Sequence, residues 1–184
     1  MKWVWMMPFV DQPQTQNDRK SAQNAHRRDA AVRTRMAVRA GETPVAGTVT
    51  GTYAATTASD NVRESIQEVL TKGGNPSSRY SYLEHRWTVN VTAGSRIELH
   101  VEGFRTQSSD GDDFRFEWST DGTNFTDAGL PSLPTSDNDT DVQAVLPSNL
   151  SGPITIRVVD TNHAAGGQSL DTVSIDELFV RSVP

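Results

Sequence analysis

The stretch LEHRWTVNV, Leu83 to Val91, alternates strictly between two kinds of side chain. Leu83, His85, Trp87, Val89 and Val91 share one parity, and Glu84, Arg86, Thr88 and Asn90 share the other. A period of two puts one set against a core and the other toward water, which only a half-buried strand can satisfy. After Thr92-Ala93-Gly94-Ser95, Ile97, Leu99 and Val101 alternate with Glu98, His100 and Glu102, and the two segments are expected to pair as a hairpin. A second hairpin is expected over Asp113 to Phe125, with Phe114, Phe116 and Trp118 facing the core and Asp121-Gly122 at the turn. Ile154 to Asp160 reads as another strand. In Leu170 to Val180, the pairs Val173/Ile175 and Leu178/Val180 lie on opposite parities, so a bulge near Asp176-Glu177 is needed to bury both. Short strands punctuated by Gly, Pro and Asp imply an all-β, antiparallel β-sandwich or jelly roll.

Two segments depart from this texture. Val62, Ile66, Val69 and Leu70 follow helical spacing behind Asp60, yet Val62, Ile66 and Leu70 also fit one face of a strand, which is the preferred reading over a short helix. Residues 1–44 read as an N-terminal extended arm and linker, ending at Gly41-Glu42-Thr43-Pro44, ahead of a sandwich domain over 45–184. Within the arm, Ser21 to Arg39 has a helix-favouring composition with only a weak apolar stripe.

Composition narrows the chemistry. The absence of cysteine excludes disulfides, thiolate metal sites and cysteine catalysis. No run approaches the roughly 20 apolar residues of a membrane span. Residues 1–40 carry eight basic and three acidic side chains, a net of +5, while the rest carries nine basic and twenty acidic ones, a net of −11. A basic arm on an acidic body suggests electrostatic pairing within or between chains. No nucleophile elbow, zincin, phosphate-loop or dinucleotide pattern is present, and the four histidines, His26, His85, His100 and His163, show no metal spacing. No enzymatic activity is expected, and His85 is expected to be a core histidine with a hydrogen-bonding neighbour.

Calcium is the expected cofactor, because it takes oxygen ligands in number. Asp110, Asp112 and Asp113 in the run SSDGDD form one candidate group. Asp60, Glu64 and Glu68 near the start of the body, with Asp171 and Asp176 near its end, form another if the first and last strands lie side by side.

The segments SDN (Ser59 to Asn61), LEHRW (Leu83 to Trp87), GDDFRF (Gly111 to Phe116), STDG (Ser119 to Gly122), RVVDT (Arg157 to Thr161) and SID (Ser174 to Asp176) carry a resemblance. Over Gly47 to Ser182 the chain resembles domains of large bacterial surface and secreted proteins, similar to the jelly-roll sandwiches of carbohydrate-binding modules. The resemblance implies a non-catalytic, extracytoplasmic module, at the cell surface, secreted or particle-associated. It also implies calcium, with Asp176 on the final strand as a ligand.

The apolar opening MKWVWMMPFV has no small-residue cleavage pattern after it. Trp3, Trp5 and Met7 alternate with Val4 and Met6 until Pro8, as in a strand that adds to the open edge of a neighbouring sandwich. The leading expectation is a structural subunit docked to protein partners through Trp3, Trp5, Met7 and Phe9, with Arg27 and Arg28 assisting. One alternative is a calcium-dependent carbohydrate-binding module with Tyr80, Tyr82 or Trp118 as its platform. Another is a virion coat or decoration protein whose Arg27, Arg28, Arg33, Arg35 and Arg39 touch nucleic acid, a partner ranked below protein and carbohydrate.

Overall fold

The computed structural model describes residues 39–72 and 74–184. Among the described residues, twelve strands follow in chain order. They are β1 (Arg39–Ala46), β2 (Thr48–Thr50), β3 (Glu64–Gln67), β4 (Val69–Leu70), β5 (Ser81–Tyr82) and β6 (Glu84–Val91). Then come β7 (Arg96–Arg105), β8 (Phe114–Ser119), β9 (Thr126–Asp127), β10 (Asp141–Leu146), β11 (Gly152–Asp160) and β12 (Thr172–Val183). Two antiparallel five-stranded sheets face each other, one ordered β1-β6-β11-β8-β9 and the other β10-β7-β12-β3-β2. β4 and β5 form a separate ribbon. The chain changes sheet between β1 and β2, β6 and β7, β7 and β8, β9 and β10, β10 and β11, and β11 and β12, as a jelly roll does. No described helix is long and apolar enough to cross a membrane.

Alternation sets the core. Leu83, His85, Trp87, Val89 and Val91 are all buried, and they meet Ile97, Leu99 and Val101 from the opposite sheet. β12 shifts register between Ile175 and Glu177, so Val173, Ile175, Leu178 and Val180 are all fully buried and the expected bulge is present. Between β8 and β9, Gly122 sits at φ 70°. The Asp121 carboxylate closes this turn by accepting from Asn124 Nδ2 and from the backbone N–H groups of Asn124 and Thr123. Those bonds, led by the Asn124 side chain, hold its carboxyl well below the usual range. Trp118 packs against the core and is half-buried.

Several expectations are corrected. β6 and β7 are not a hairpin, because β6 lies between β1 and β11 while β7 lies between β10 and β12. Alternation fixes which face is apolar, not which strand is the neighbour. The connection is bound instead to the end of β12, through Ser95 N–H to Val183 O and Ser182 Oγ to Thr92 O. The segment Gly41 to Pro44 is not a linker, since it lies within β1 in register with Thr88 to His85 of β6, so the sandwich includes residues before position 45. Val62, Ile66 and Leu70 do not share a buried face. Ile66 is in the core, Val62 is exposed, and the chain breaks between β3 and β4.

The outer side chains of β7 are also covered, although their parity predicts exposure. Glu98 is held by Arg96 Nε at 2.8 Å and Arg181 Nε at 2.8 Å, and the His100 ring stacks on Phe179 at 4.5 Å. A central strand can bury charge on its outer face when flanking strands supply the partners.

Candidate metal centre

Three strand ends and one break between strands converge on a group of acids. Glu68 lies between β3 and β4, Asp112 just before β8, Asp160 at the end of β11 and Asp171 just before β12. All four are buried. The pairing of β3 with β12 brings Glu68 and Asp171 together, as expected for first and last segments side by side. Glu68 N–H donates to Asp171 O at 2.9 Å, and Asp171 N–H donates to Glu68 Oε2 at 2.9 Å.

In each residue the fold uses one carboxylate oxygen and leaves the other. Asp160 Oδ1 accepts Leu83 N–H at 3.0 Å. Asp112 Oδ1 accepts Asp113 N–H at 2.7 Å and both the N–H and the hydroxyl of Thr161 at 3.0 Å. Asp171 Oδ1 accepts Thr106 Oγ1 at 3.1 Å. Glu68 Oε1, Asp112 Oδ2, Asp160 Oδ2 and Asp171 Oδ2 have no hydrogen-bond partner. His163 Nε2 lies 3.0 Å from both oxygens of Asp160, near enough to attract Oδ2 while its hydrogen bond is made with Oδ1. Glu68, Asp112 and Asp160 each offer an oxygen within 4.8 Å of the others.

The electrostatic consequence is strain on the charged forms. Burial, reinforced by the Asp112 and Asp160 charges, pushes the Glu68 carboxyl up to about 8. Burial raises Asp160 as well, against the Leu83 N–H and His163. Buried polar oxygens without partners cost free energy unless something binds them. A hard divalent cation fits this donor set, since calcium takes carboxylate oxygens in mono- or bidentate fashion.

The expected ligands divide among several places. Asp112 is in the cluster, and so is Glu68, while Asp171 is tied to Glu68 beside it without joining the converging oxygens. Asp110 sits in the adjoining loop, where Oδ1 accepts Ser108 Oγ and the carbonyl accepts Asn162 Nδ2, tying residues 108–112 to the loop after β11. Asp113 turns outward to Arg105 Nε at 2.9 Å and Ser132 Oγ at 2.6 Å. Asp60 caps the N–H of Val62. Asp176 is buried at the bulge, where Oδ2 accepts Asn61 N–H at 3.0 Å, and it is not among the carboxylates that converge. Glu64 lies between the sheets beside His85 and Trp87. Trp3, Trp5, Met7, Phe9, Arg27 and Arg28 lie outside the described residues.

Asp160 is the ligand candidate that sequence reasoning missed. Its signal was parity: Ile154, Ile156 and Val158 face the core, so Asp160 two residues on is an acid directed inward. The surface above the cluster is aromatic. Tyr80 stacks on His163 with centroids 4.9 Å apart, and Tyr82 meets Tyr80 edge-on at 6.2 Å.

No family model matches the chain, and no curated protein matches it. Solved structures do. A family 61 carbohydrate-binding module in complex with β-1,4-galactotriose has 12% identity and a TM-score of 0.42, over 77% of this chain and 86% of that one. The xylan-binding family 22 domain from Paenibacillus barcinonensis has 15% identity and a TM-score of 0.37, over 78% and 86%. A family 29 carbohydrate-binding module has 12% identity and a TM-score of 0.26, over 78% and 86%. These are the modules that the sequence resembles, but at such scores they carry no argument about ligand. The sandwich rests on the strand pairing itself.

Proposed function

We propose that this chain is a non-enzymatic β-sandwich binding module, stabilised by calcium at Glu68, Asp112 and Asp160, with carbohydrate as its ligand class. The observation that carries the reading is the set of three converging buried carboxylates, each with one oxygen engaged by the fold and one left over. When bound, the ion supplies charge neutralisation and holds together the loops that precede β8 and follow β11. Those loops carry His163, and with it the Tyr80–Tyr82 surface. A sugar ring offers an apolar C–H face to an aromatic ring and hydroxyls to flanking polar groups, the pattern of an apolar site with a few placed polar atoms.

Affinity electrophoresis against a panel of neutral and acidic polysaccharides tests the ligand class. Retardation by at least one polymer is expected with calcium present, and Tyr80→Ala should weaken it about tenfold, as for an interface anchor worth more than 1 kcal/mol. Absence of retardation by every polymer sinks the carbohydrate reading and leaves the cation site standing.

A second proposal concerns the arm, and the apolar run at Met1 to Val10 and the charge asymmetry support it. Trp3, Trp5, Met7 and Phe9 dock on another protein subunit, with Arg27 and Arg28 facing acidic surface, in an extracytoplasmic setting. A chain beginning at Arg39 keeps β1 and should retain a strand-dominated circular dichroism spectrum. By light scattering it should be monomeric where the full chain is heavier. Equal masses for the two chains would remove the docking role.

A further inference from the structure

A second polar cluster lies between the sheets, and nothing above uses it. Glu42 on β1 stands in register with Trp87 on β6, and His85 lies two residues before Trp87 on the same inward parity. Glu64 comes from β3 of the opposite sheet, level with Ile175. Glu64 and His85 are fully buried, while the Glu42 side chain keeps 20% exposure and opens the cluster to solvent. From these residues we propose a transition-metal site: Glu42, Glu64 and His85 bind zinc, or an ion of like preference, between the two sheets.

Distance is the first argument. His85 Nε2 lies 3.3 Å from Glu64 Oε1 and 3.5 Å from Glu42 Oε2. Both exceed the ~2.7–3.2 Å of a good N–H···O bond. Tetrahedral zinc with ligand bonds of about 2.0–2.1 Å separates its ligand atoms by about 3.3–3.4 Å, close to the two distances from His85. The second argument is orphaned polarity. Both ring nitrogens of His85 and the Oε1 of Glu64 have no hydrogen-bond partner, inside a core where such atoms are normally satisfied.

The surrounding groups orient the carboxylates. Trp87 Nε1 donates to Glu64 Oε2 at 2.8 Å, which leaves Oε1 toward His85. Tyr53 N–H donates to Glu42 Oε2 at 2.8 Å and fixes that side chain. Bonds of this kind aim ligands in metal sites generally. Charge gives the third argument. Two carboxylates brought together beside a buried imidazole repel unless a cation lies among them. A dication with two carboxylates and a neutral imidazole sums to zero. An imidazole in the set favours zinc, cobalt or nickel over calcium, so this site and the all-oxygen cluster select different ions.

The test uses the full chain, stripped by chelator and then saturated with calcium. Cobalt(II) is added as a spectroscopic stand-in for zinc. A visible d–d band of tetrahedral intensity is expected, displaced by one equivalent of zinc. His85→Gln should abolish the band. Glu42→Gln lies at the solvent-facing side and should fold by circular dichroism while weakening zinc binding at least tenfold. Glu68→Gln should leave the band untouched, which separates this site from the calcium centre. No band in the native chain overturns the proposal. A band that persists in both the His85 and Glu42 variants also overturns it, because the ion is then held elsewhere.

Discussion

Calcium is expected to raise the melting temperature of this protein by about 5–15 °C over the chelator-treated form. A ligand that binds only the folded state at 100–1,000 times its dissociation constant adds about 2.7–4.1 kcal/mol. Each kcal/mol moves the midpoint of a domain of this size by roughly 2–4 °C. Glu68→Gln separates cation binding from ordinary packing by the sign of two effects. The glutamine carbonyl can still accept Asp171 N–H, so the local backbone contact is retained. One buried negative charge is gone, so at pH 8.5 the calcium-free variant should melt at or above the calcium-free native chain. Its calcium-induced rise should nevertheless fall by more than half. Equal melting of the native chain in millimolar calcium and in excess chelator would argue against the centre.

The pH dependence follows from the same residue. The Glu68 carboxyl is pushed up to about 8 by burial and its acidic neighbours, against an ordinary value of 4.5. Between those values the folded state holds a proton that the unfolded state has lost. Stability of the calcium-free form from this group is therefore fully present below pH 4.5 and is lost as pH rises through 8. Calcium requires the carboxylate, so its binding competes with that proton. The calcium-induced rise in melting temperature should grow from pH 6 to pH 9.

Much of this architecture was legible because it depends on parity. The odd positions from Leu83 to Val91 are buried, and the clash of parities in β12 located the bulge at Asp176-Glu177. The partners of β6 and β7 were not legible, although the turn at Asp121-Gly122 did join paired strands. Nothing in Thr92 to Ser95 distinguishes a tight hairpin from a crossing to the other sheet, and the deciding contacts come from Ser182 and Val183, almost ninety residues away. The carboxylate cluster was half legible. Glu68, Asp112 and Asp171 could be named as acids near converging segments, but their grouping depends on sheet order. Asp160 could have been found by asking why an acid holds an inward position, and the same question applies to Glu64 beside Ile66. Asp176, carried over by resemblance, is buried with Oδ1 free, yet the convergence forms elsewhere.

Gly103→Ala should be among the most destabilising single methyl additions in the chain, and Gly41→Ala should be nearly silent. Both glycines lie within strands, so local sequence gives no reason to separate them. Gly103 on β7 faces Ile175 on β12, just where the register slips. A Cβ there would overlap the carbonyl oxygen of Ser174 and sit 3.2 Å from Ile175 Cα. The obstacle is backbone on a central strand, so no side chain can swing away, and β7 and β12 must separate. Glycine inside a strand often marks such a close approach. Overpacking of this kind costs about 1–3 kcal/mol, and the upper end is expected because rigid main chain must move. The melting temperature should fall by roughly 6–12 °C at 2–4 °C per kcal/mol. At Gly41 nothing lies within 4 Å of the added methyl, and the backbone is already extended. That variant should melt within about 2 °C of the native chain, or slightly above it, because alanine loses less backbone entropy on folding. Thermal melting of the two variants side by side decides the matter. If Gly103→Ala melts like Gly41→Ala, β7 and β12 do not approach as closely as described.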